Sequence, residues 1–395
     1  MVDTFIPLLV LLLLLAALMR DDFAITLIYL VVGAVAIGTW WSHRSLARIT
    51  FKRQFAAWAF LGEKIDVGIQ INNKGWLPVL WVDIQESLPV ALSSFPFFEH
   101  VTTLGPRAET RYHYTLEARK RGYYPIGPLF ASTGDILGLS RPVRLQGLVQ
   151  FLTVYPKIVP LTSIDLPSSS PQGTLRHTQP IFEDPTRTFA KRDYTVGDSL
   201  RRVDWKSSAT TGRLQVKLFE PSIALETLIF LNLNAEDYLI RTRIDSTELA
   251  IVIAASLAAW VAGKKQTVGL KVNGTDPLMG DSLPQYIPPR KGQANLMRIL
   301  EKLARVEMNS GISFVEMIRQ QRYHLSWGTT LLVITGLVGD DLLEELYQAR
   351  RAGQNVVLIL AGPSASYGDI SDRAGHFGIR VVSIPNERGL DIWRK

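Results

Sequence analysis

Apolar residues run almost unbroken from Phe5 to Met19, stop at Arg20, Asp21 and Asp22, and resume from Phe23 to Trp41. The second run approaches the roughly 20 residues a helix needs to cross a bilayer, and the first reaches toward that length with Met1 and Thr4. Three polar residues between them predict a transmembrane helical hairpin within residues 1–42, with helices over about 5–20 and 23–41. Trp40 and Trp41 occupy the place where aromatic residues anchor at a membrane interface. A cleaved signal peptide is the other reading of the first run, but only Asp3 precedes it, where such a peptide carries positive charge. His43, Arg44, Arg48, Lys52 and Arg53 follow the second run, and the positive-inside rule keeps that flank cytoplasmic. The expectation is a two-pass protein of the inner (plasma) membrane with its soluble domains on the cytoplasmic side.

The pattern then changes to period-two alternation. EKIDVGIQINNKG and LPVLWVDIQESLP read as strands bounded by Gly, Pro and Asn, and short strands continue to Tyr155. Residues 49–157 are therefore expected to form a small antiparallel β-sandwich. Gly122, Gly127 and Gly134 are read as turn residues. A Ser/Pro/Gln-rich stretch over 158–180 reads as a linker, and a charged segment follows over 181–221.

From 222 to 395, strand and helix patterns alternate. ETLIFLNLN, QTVGLKVNG, TTLLVITGL, QNVVLILAG and IRVVSIP are apolar runs suited to buried strands. Between them lie three helical patterns: STELAIVIAASLAAWVAGKK (with Ser246 as its N-cap), NLMRILEKLARVE and DDLLEELYQARRAG. This alternation predicts an open, doubly wound α/β fold around a parallel sheet.

Composition narrows the chemistry. The 395 residues hold no cysteine, which excludes disulfides, thiolate catalysis and cysteine metal sites. Six scattered histidines give no zinc spacing. A net charge of +7 suits a chain beside anionic lipid. No basic run interleaves with aromatics as in a nucleic-acid module, so nucleic acid is set aside as a partner.

The segment Phe189–Pro221 concentrates Arg192, Asp193, Tyr194, Gly197, Asp198, Arg201, Arg202, Asp204, Trp205 and Lys206. It resembles the signature R-x-Y-x-x-G-D-x-x-R-x-I-D-W-x-x-S-A of the domain of unknown function 58 family, with Thr210 where that family usually has Arg. RGYYPIGPL and GDILGL resemble a second family run, with Ile136-Leu137 in place of Pro-Phe. The resemblance implies a membrane-anchored protein with a C-terminal von Willebrand factor A-type domain. It also implies a MoxR-type AAA+ ATPase as partner, in systems that assemble, insert or activate other proteins. On the residues themselves, the Arg/Asp cluster reads as an ion-pair network that clamps the fold or docks a protein, with Trp205 burying its ring. An enzyme centred on Asp198 and Asp204 is the alternative, although no nucleophile stands beside a histidine.

A-type domains often carry a metal-ion-dependent adhesion site that begins D-x-S-x-S at the end of the first strand. The matching positions here are Asn232, Asn234 and Glu236, and Thr335-Gly336 stands where a later Asp is expected. Asn carbonyls with Glu236 or Asp237 offer a weakened site for Mg or Ca, because neutral amides compete poorly with water for a hard cation. The expectation is a degenerate site, no required cofactor, and a non-enzymatic interaction or scaffold protein. A cation-dependent binding module is the remaining alternative.

Overall fold

The computed structural model describes residues 22–135, 142–162, 183–195, 198–221, 226–278, 285–364 and 366–393. The first apolar run, Ile136-Leu137, Gly197 and most of the 158–180 linker lie outside the described residues. The chain divides into two compact units, residues 1–157 with 300–305, and residues 158–299 with 306–395.

The first unit opens with helix α1 (Asp22–Leu46), whose span Ile25–Leu46 is long and apolar enough to cross a membrane and is mostly exposed. Ten strands follow among the described residues: β1 (Ile49–Gln54), β2 (Trp58–Phe60), β3 (Lys64–Asn73), β4 (Val79–Ser87), β5 (Phe97–Leu104), β6 (Glu109–Glu117), β7 (Gly122–Ile126), β8 (Leu129–Thr133), β9 (Val143–Gln146) and β10 (Gln150–Tyr155). They form three small sheets, ordered β1-β3-β6, β5-β4-β8-β9 and β2-β10-β7. All their pairings are antiparallel except that of β10 with β2. Along β3 the buried residues are Ile65, Val67, Ile69, Ile71 and Asn73, the alternation that a strand with one covered face requires. Ile69 and Ile71 share a core with Val82, Ile84 and Ala131 of the four-stranded sheet, while Val67 packs with Ile126, Leu152 and Val154. Of the three glycines expected in turns, Gly127 has a positive φ of 94°. Gly122 and Gly134 serve close approach instead, since a Cβ would lie 2.7 Å from the Tyr124 ring and 3.0 Å from the Trp81 ring.

The second unit contains the charged segment and an α/β region. The segment forms β11 (Glu183–Asp193), helix α2 (Trp205–Thr211) and β12 (Gln215–Pro221), with β11 and β12 paired antiparallel. The α/β region runs β13 (Glu226–Leu231), α3 (Arg243–Gly263), β14 (Thr267–Val272), β15 (Gln285–Arg290), α4 (Gln293–Arg305, of which residues 300–305 count with the first unit), α5 (Phe314–Arg322), β16 (Thr330–Thr335), α6 (Asp340–Arg351), β17 (Asn355–Ala361), α7 (Tyr367–His376) and β18 (Arg380–Ile384). Its six strands order as β15-β14-β13-β16-β17-β18, parallel throughout except for the edge strand β15. Helices α5, α6 and α7 cover the face that carries Leu228, Phe230, Leu331, Val333, Leu358 and Leu360. Helix α3 touches β13, β14, β16 and β17 from the opposite side. It too passes the length and hydropathy test for a membrane span, but it is largely buried as the core helix of this unit.

Three elements of this unit escape the hydrophobic pattern. β15 contains Pro288 and Pro289, which only an edge strand tolerates. Helices α5 and α7 are short, though Ser313, whose side chain accepts from the Glu316 amide at 3.3 Å, is half of a recognisable capping box. Helix α3 begins before Ser246, which is buried within it, and Thr242 takes the N-cap position.

Candidate functional site

The strand order reverses at β13, which has β14 on one side and β16 on the other. In open α/β sheets the crevice beyond the carboxyl ends of the strands at such a reversal is where ligands bind. β13 ends into Asn232, and β16 ends on Thr335. Asn232 is 1% exposed and its amide is fully engaged. Its Nδ2 donates to Asp237 Oδ2 at 2.8 Å and to Thr335 Oγ1 at 2.9 Å. Its Oδ1 accepts from the Asn234 amide and from Asn273 Nδ2, both at 3.0 Å. Asn273, from the end of β14, also receives the Leu233 amide on Oδ1 at 2.6 Å. Asn234 Nδ2 donates to Asp237 Oδ2 at 3.3 Å, and its Oδ1 accepts from the Glu236 amide at 3.3 Å. Tyr238, fully buried, donates from its hydroxyl to the Asn232 carbonyl at 2.6 Å, and burial pushes its phenol far above the usual range. Gly336 lies against that ring, where a Cβ would sit 2.3 Å from it.

This donor set does not fit a hard divalent cation. The Asn232 oxygen that would face a metal already accepts two N–H groups. The Thr335 hydroxyl accepts from Asn232 and donates to the Leu337 carbonyl at 3.1 Å. Charge comes from Asp237 and not from Glu236, which is exposed and whose carboxylate has no partner among the described residues. Among the described residues, no group of three His, Asp or Glu side chains is arranged to hold a metal. The cluster is instead a buried amide lattice around one carboxylate. A lattice of this kind rigidifies the loops it joins when every member is satisfied.

The charged segment makes a second, separate cluster. Arg192 grips Asp198 through two parallel bonds of 2.7 Å, the bidentate geometry that gives the strongest ion pairs. The Thr195 amide and hydroxyl both donate to the same carboxylate at 2.9 Å. These donors, Arg192 foremost, hold the Asp198 carboxyl at about 2. Asp204 caps α2, accepting from the Ser207 amide at 3.2 Å, and pairs with Lys191 at 2.9 Å. Its carboxyl is likewise held at about 2, chiefly by Lys191. Asp193 accepts from Gln215 and lies 3.7 Å from Arg213. The Tyr194 amide donates to the Leu214 carbonyl at 2.8 Å, which fastens the segment to the start of β12.

Residues 190–363 match the family described as protein of unknown function DUF58. Over 314 residues the chain is 23% identical to the uncharacterized protein YeaD of Bacillus subtilis (strain 168), covering 76% of this chain and 72% of that protein. Likeness to solved structures is slight. The CARDB domain of a Pyrococcus furiosus protein, in complex with di-metal ions, is 12% identical and covers 27% of this chain and 91% of its own, with a TM-score of 0.20. An exo-β-N-acetylglucosaminidase from Vibrio harveyi, in complex with N-acetylglucosamine, is 10% identical over 85% of this chain and 75% of its own, with a TM-score of 0.21. Scores this low bear on neither fold nor function.

The DUF58 match begins within β11 and so takes in both clusters. The signature residues Arg192, Asp193, Tyr194, Asp198 and Asp204 converge on the turn between β11 and β12. Trp205 does not bury its ring. It is 66% exposed at the first turn of α2, and Lys206 beside it is exposed as well. Gly197 and the side chain of Arg201 lie outside the described residues. The sequence reading missed Asn273, Tyr238 and Asn309. Asn309 donates from its amide to the Leu233 carbonyl at 3.1 Å and accepts from Ala235 at 2.7 Å. A sequence signal existed only for Asn273, which ends the strand pattern QTVGLKVNG as Asn232 ends ETLIFLNLN.

Proposed function

We propose that this protein is a membrane-tethered, non-enzymatic interaction protein that docks a protein partner at the carboxyl ends of the strands in its α/β unit. The observation that carries this reading is an apolar patch beside the amide lattice. Ile240 and Ile244 are 82% and 66% exposed, and Leu239 and Leu337 are exposed as well. The Leu337 amide donates to the Asp237 carbonyl at 2.8 Å and that of Thr242 to the Leu239 carbonyl at 3.0 Å, so both loops are tied beside the lattice. Clustered exposed aliphatics on an ordered surface favour a protein contact. The lattice supports docking without a bound ion, since the Asn232 and Asn234 side-chain oxygens already accept N–H groups. Asp198 and Asp204, held ionised by their partners, suit a structural network better than general acid catalysis.

The α/β unit is read as a von Willebrand factor A-like domain on its strand order and on the polar residues at the end of its first parallel strand. Helix α1 is read as a membrane span, paired with the run Phe5–Met19 in a two-pass anchor of the plasma membrane, with the basic flank and both soluble units on the cytoplasmic side. The DUF58 resemblance makes a MoxR-type AAA+ ATPase the partner we propose, in assembly or activation of other proteins.

The test is capture of the tagged full-length protein from native membranes, with and without Mg-ATP. An AAA+ ATPase is expected in the eluate in a nucleotide-dependent manner. Ile240→Asp with Ile244→Asp should abolish its recovery while leaving the melting temperature within a degree or two, as exposed substitutions do. Recovery unchanged by this double substitution would remove the docking face from the proposal. Absence of any AAA+ ATPase under crosslinking would remove the partner.

A further inference from the structure

The end of α1 and two loops of the first unit form one rigid platform. The Ala47 amide donates to the His43 carbonyl at 3.1 Å and that of Arg48 to Ser45 at 3.3 Å, turning the chain off the helix. Arg48 then accepts from the Lys74 amide at 3.0 Å, and Trp41 Nε1 donates to the Pro78 carbonyl at 2.9 Å. The 74–78 loop is thus fastened to the helix end on both sides. From within, buried Asn73 donates to the carbonyls of Leu77 at 2.8 Å and Gly105 at 3.0 Å, and accepts from the Gly75 amide at 2.9 Å. The Arg107 amide reaches the Gly75 carbonyl at 3.1 Å and adds the β5–β6 turn.

This platform holds Trp76 outward, 68% exposed, while Leu77 beside it is buried. Arg44, Arg48, Lys74 and Arg107 are exposed on the same joined segments. Glu109, the acidic residue following Arg107, is taken by Arg111 at 2.7 Å. An indole fixed in solvent among four cations is a costly surface for a monomer, and it matches the interface of an anionic bilayer, where Trp and basic residues both partition. Depth agrees. The apolar run Phe23–Trp41 rises about 28 Å as helix, close to the roughly 30 Å of a hydrocarbon core. The boundary therefore falls at Trp40–Trp41, and the bond from Trp41 to Pro78 sets the loop at that level.

We propose that the 74–78 loop is a second membrane contact, in which Trp76 seats in the headgroup layer and Arg44, Arg48, Lys74 and Arg107 engage lipid phosphates. This contact, together with the bonds that join the loop to the end of α1, fixes how the β unit stands on the bilayer. The inference rests on the reading of α1 as a membrane helix, so the test reports on the two separately.

The cysteine-free chain allows one label at a time. Full-length Trp76→Cys, Val32→Cys and Val90→Cys variants would each carry a nitrobenzoxadiazole dye in phosphatidylcholine–phosphatidylglycerol vesicles. Val32 is exposed on α1, and Val90 is 76% exposed beyond the end of β4 remote from Pro78. The dye at 76 is expected to emit to the blue of the dye at 90 and to be quenched by lipid carrying a nitroxide near the headgroup, and the dye at 32, about 14 Å from either end of the apolar run, to be quenched by lipid carrying the nitroxide deep in its acyl chain. The quenching at 76 should fall when phosphatidylglycerol is omitted, or with Lys74→Glu and Arg107→Glu together. Quenching at 32 with none at 76 would overturn the loop contact and leave the membrane helix standing. No quenching at 32 would overturn both. A blue shift at 76 without lipid quenching would mean that protein covers the loop, and would also overturn the proposal.

Discussion

The two polar clusters of the second unit are built on opposite plans. The one at the β11–β12 turn is ionic, and its contacts close within residues 191–215. The one at the strand ends is made mainly of neutral amides, buried, and assembled from Asn232, Asp237, Asn273, Asn309 and Thr335, which the fold brings together from four loops. The difference lies in how each is stabilised. A surface ion pair is screened by water and salt and adds little by itself. A buried amide has no water to fall back on, so removing one member leaves its partners unsatisfied. The conspicuous motif is therefore expected to be the more dispensable of the two for stability.

The largest effect is expected from Asn232→Ala. It takes the side-chain acceptor from the Asn234 amide and removes one of the partners of Asn273 Nδ2, Asp237 and Thr335, in a site almost closed to water. With part of that loss relaxed, the cost is about 2–4 kcal/mol. In a unit of this size the melting temperature would drop by roughly 5–15 °C. Calorimetry on the variant checks this, and a drop no larger than that of Arg192→Ala would erase the contrast between the clusters.

Asn232→Asp is expected to cost less in overall stability but to change its ion dependence. The new carboxylate faces Asp237 in place of the Nδ2 donor that now reaches it at 2.8 Å. Two like charges at that separation destabilise the folded state and create a demand for a cation. Millimolar magnesium should recover part of the lost melting temperature in the variant through binding linkage and leave the wild type unmoved. Equal magnesium responses would show that the amide is not what closes the site to metal.

The contrast also explains what the sequence revealed. The strands β13, β14, β16 and β17 were legible because each is a short apolar run buried on both faces, and the half-buried β18 because its run IRVVSIP is apolar too. The Arg192–Asp198 pair was legible because both partners and the Thr195 that joins them lie within seven residues. The amide lattice was half legible. Asn232, Asn234 and Thr335 stand at pattern-marked strand ends, but Asn273 and Asn309 reach them only through the sheet order, and no periodicity encodes that order. β15 was hidden by its prolines, and the exposure of Trp205 could not be foreseen, because an indole next to an N-cap is equally compatible with either side of a short helix. The membrane-like composition of α3 illustrates the converse: an all-apolar helix reads alike whether lipid or protein covers it.

The smallest effect is the pH dependence of the ionic cluster, and its sign separates that cluster from the lattice. Asp198 and Asp204 have folded values of about 2 against an ordinary 3.8. A carboxyl depressed on folding stabilises the protein fully above its unfolded value and loses that contribution as pH falls through the folded one. The melting-temperature gap between wild type and Asp198→Asn should therefore be constant above about pH 5, narrow between about pH 4 and pH 2, and shrink in high salt. The gap between wild type and Asn232→Ala should not follow this course, because the Asn234 and Asn273 amides and the Thr335 hydroxyl that lose a partner do not titrate in this window. Parallel melting series of the three proteins from neutral pH down to about pH 2 would decide the matter. If the Asp198→Asn gap ran level through that window, the Arg192–Asp198 bridge would not be the ionised, bidentate pair on which the role of the segment depends.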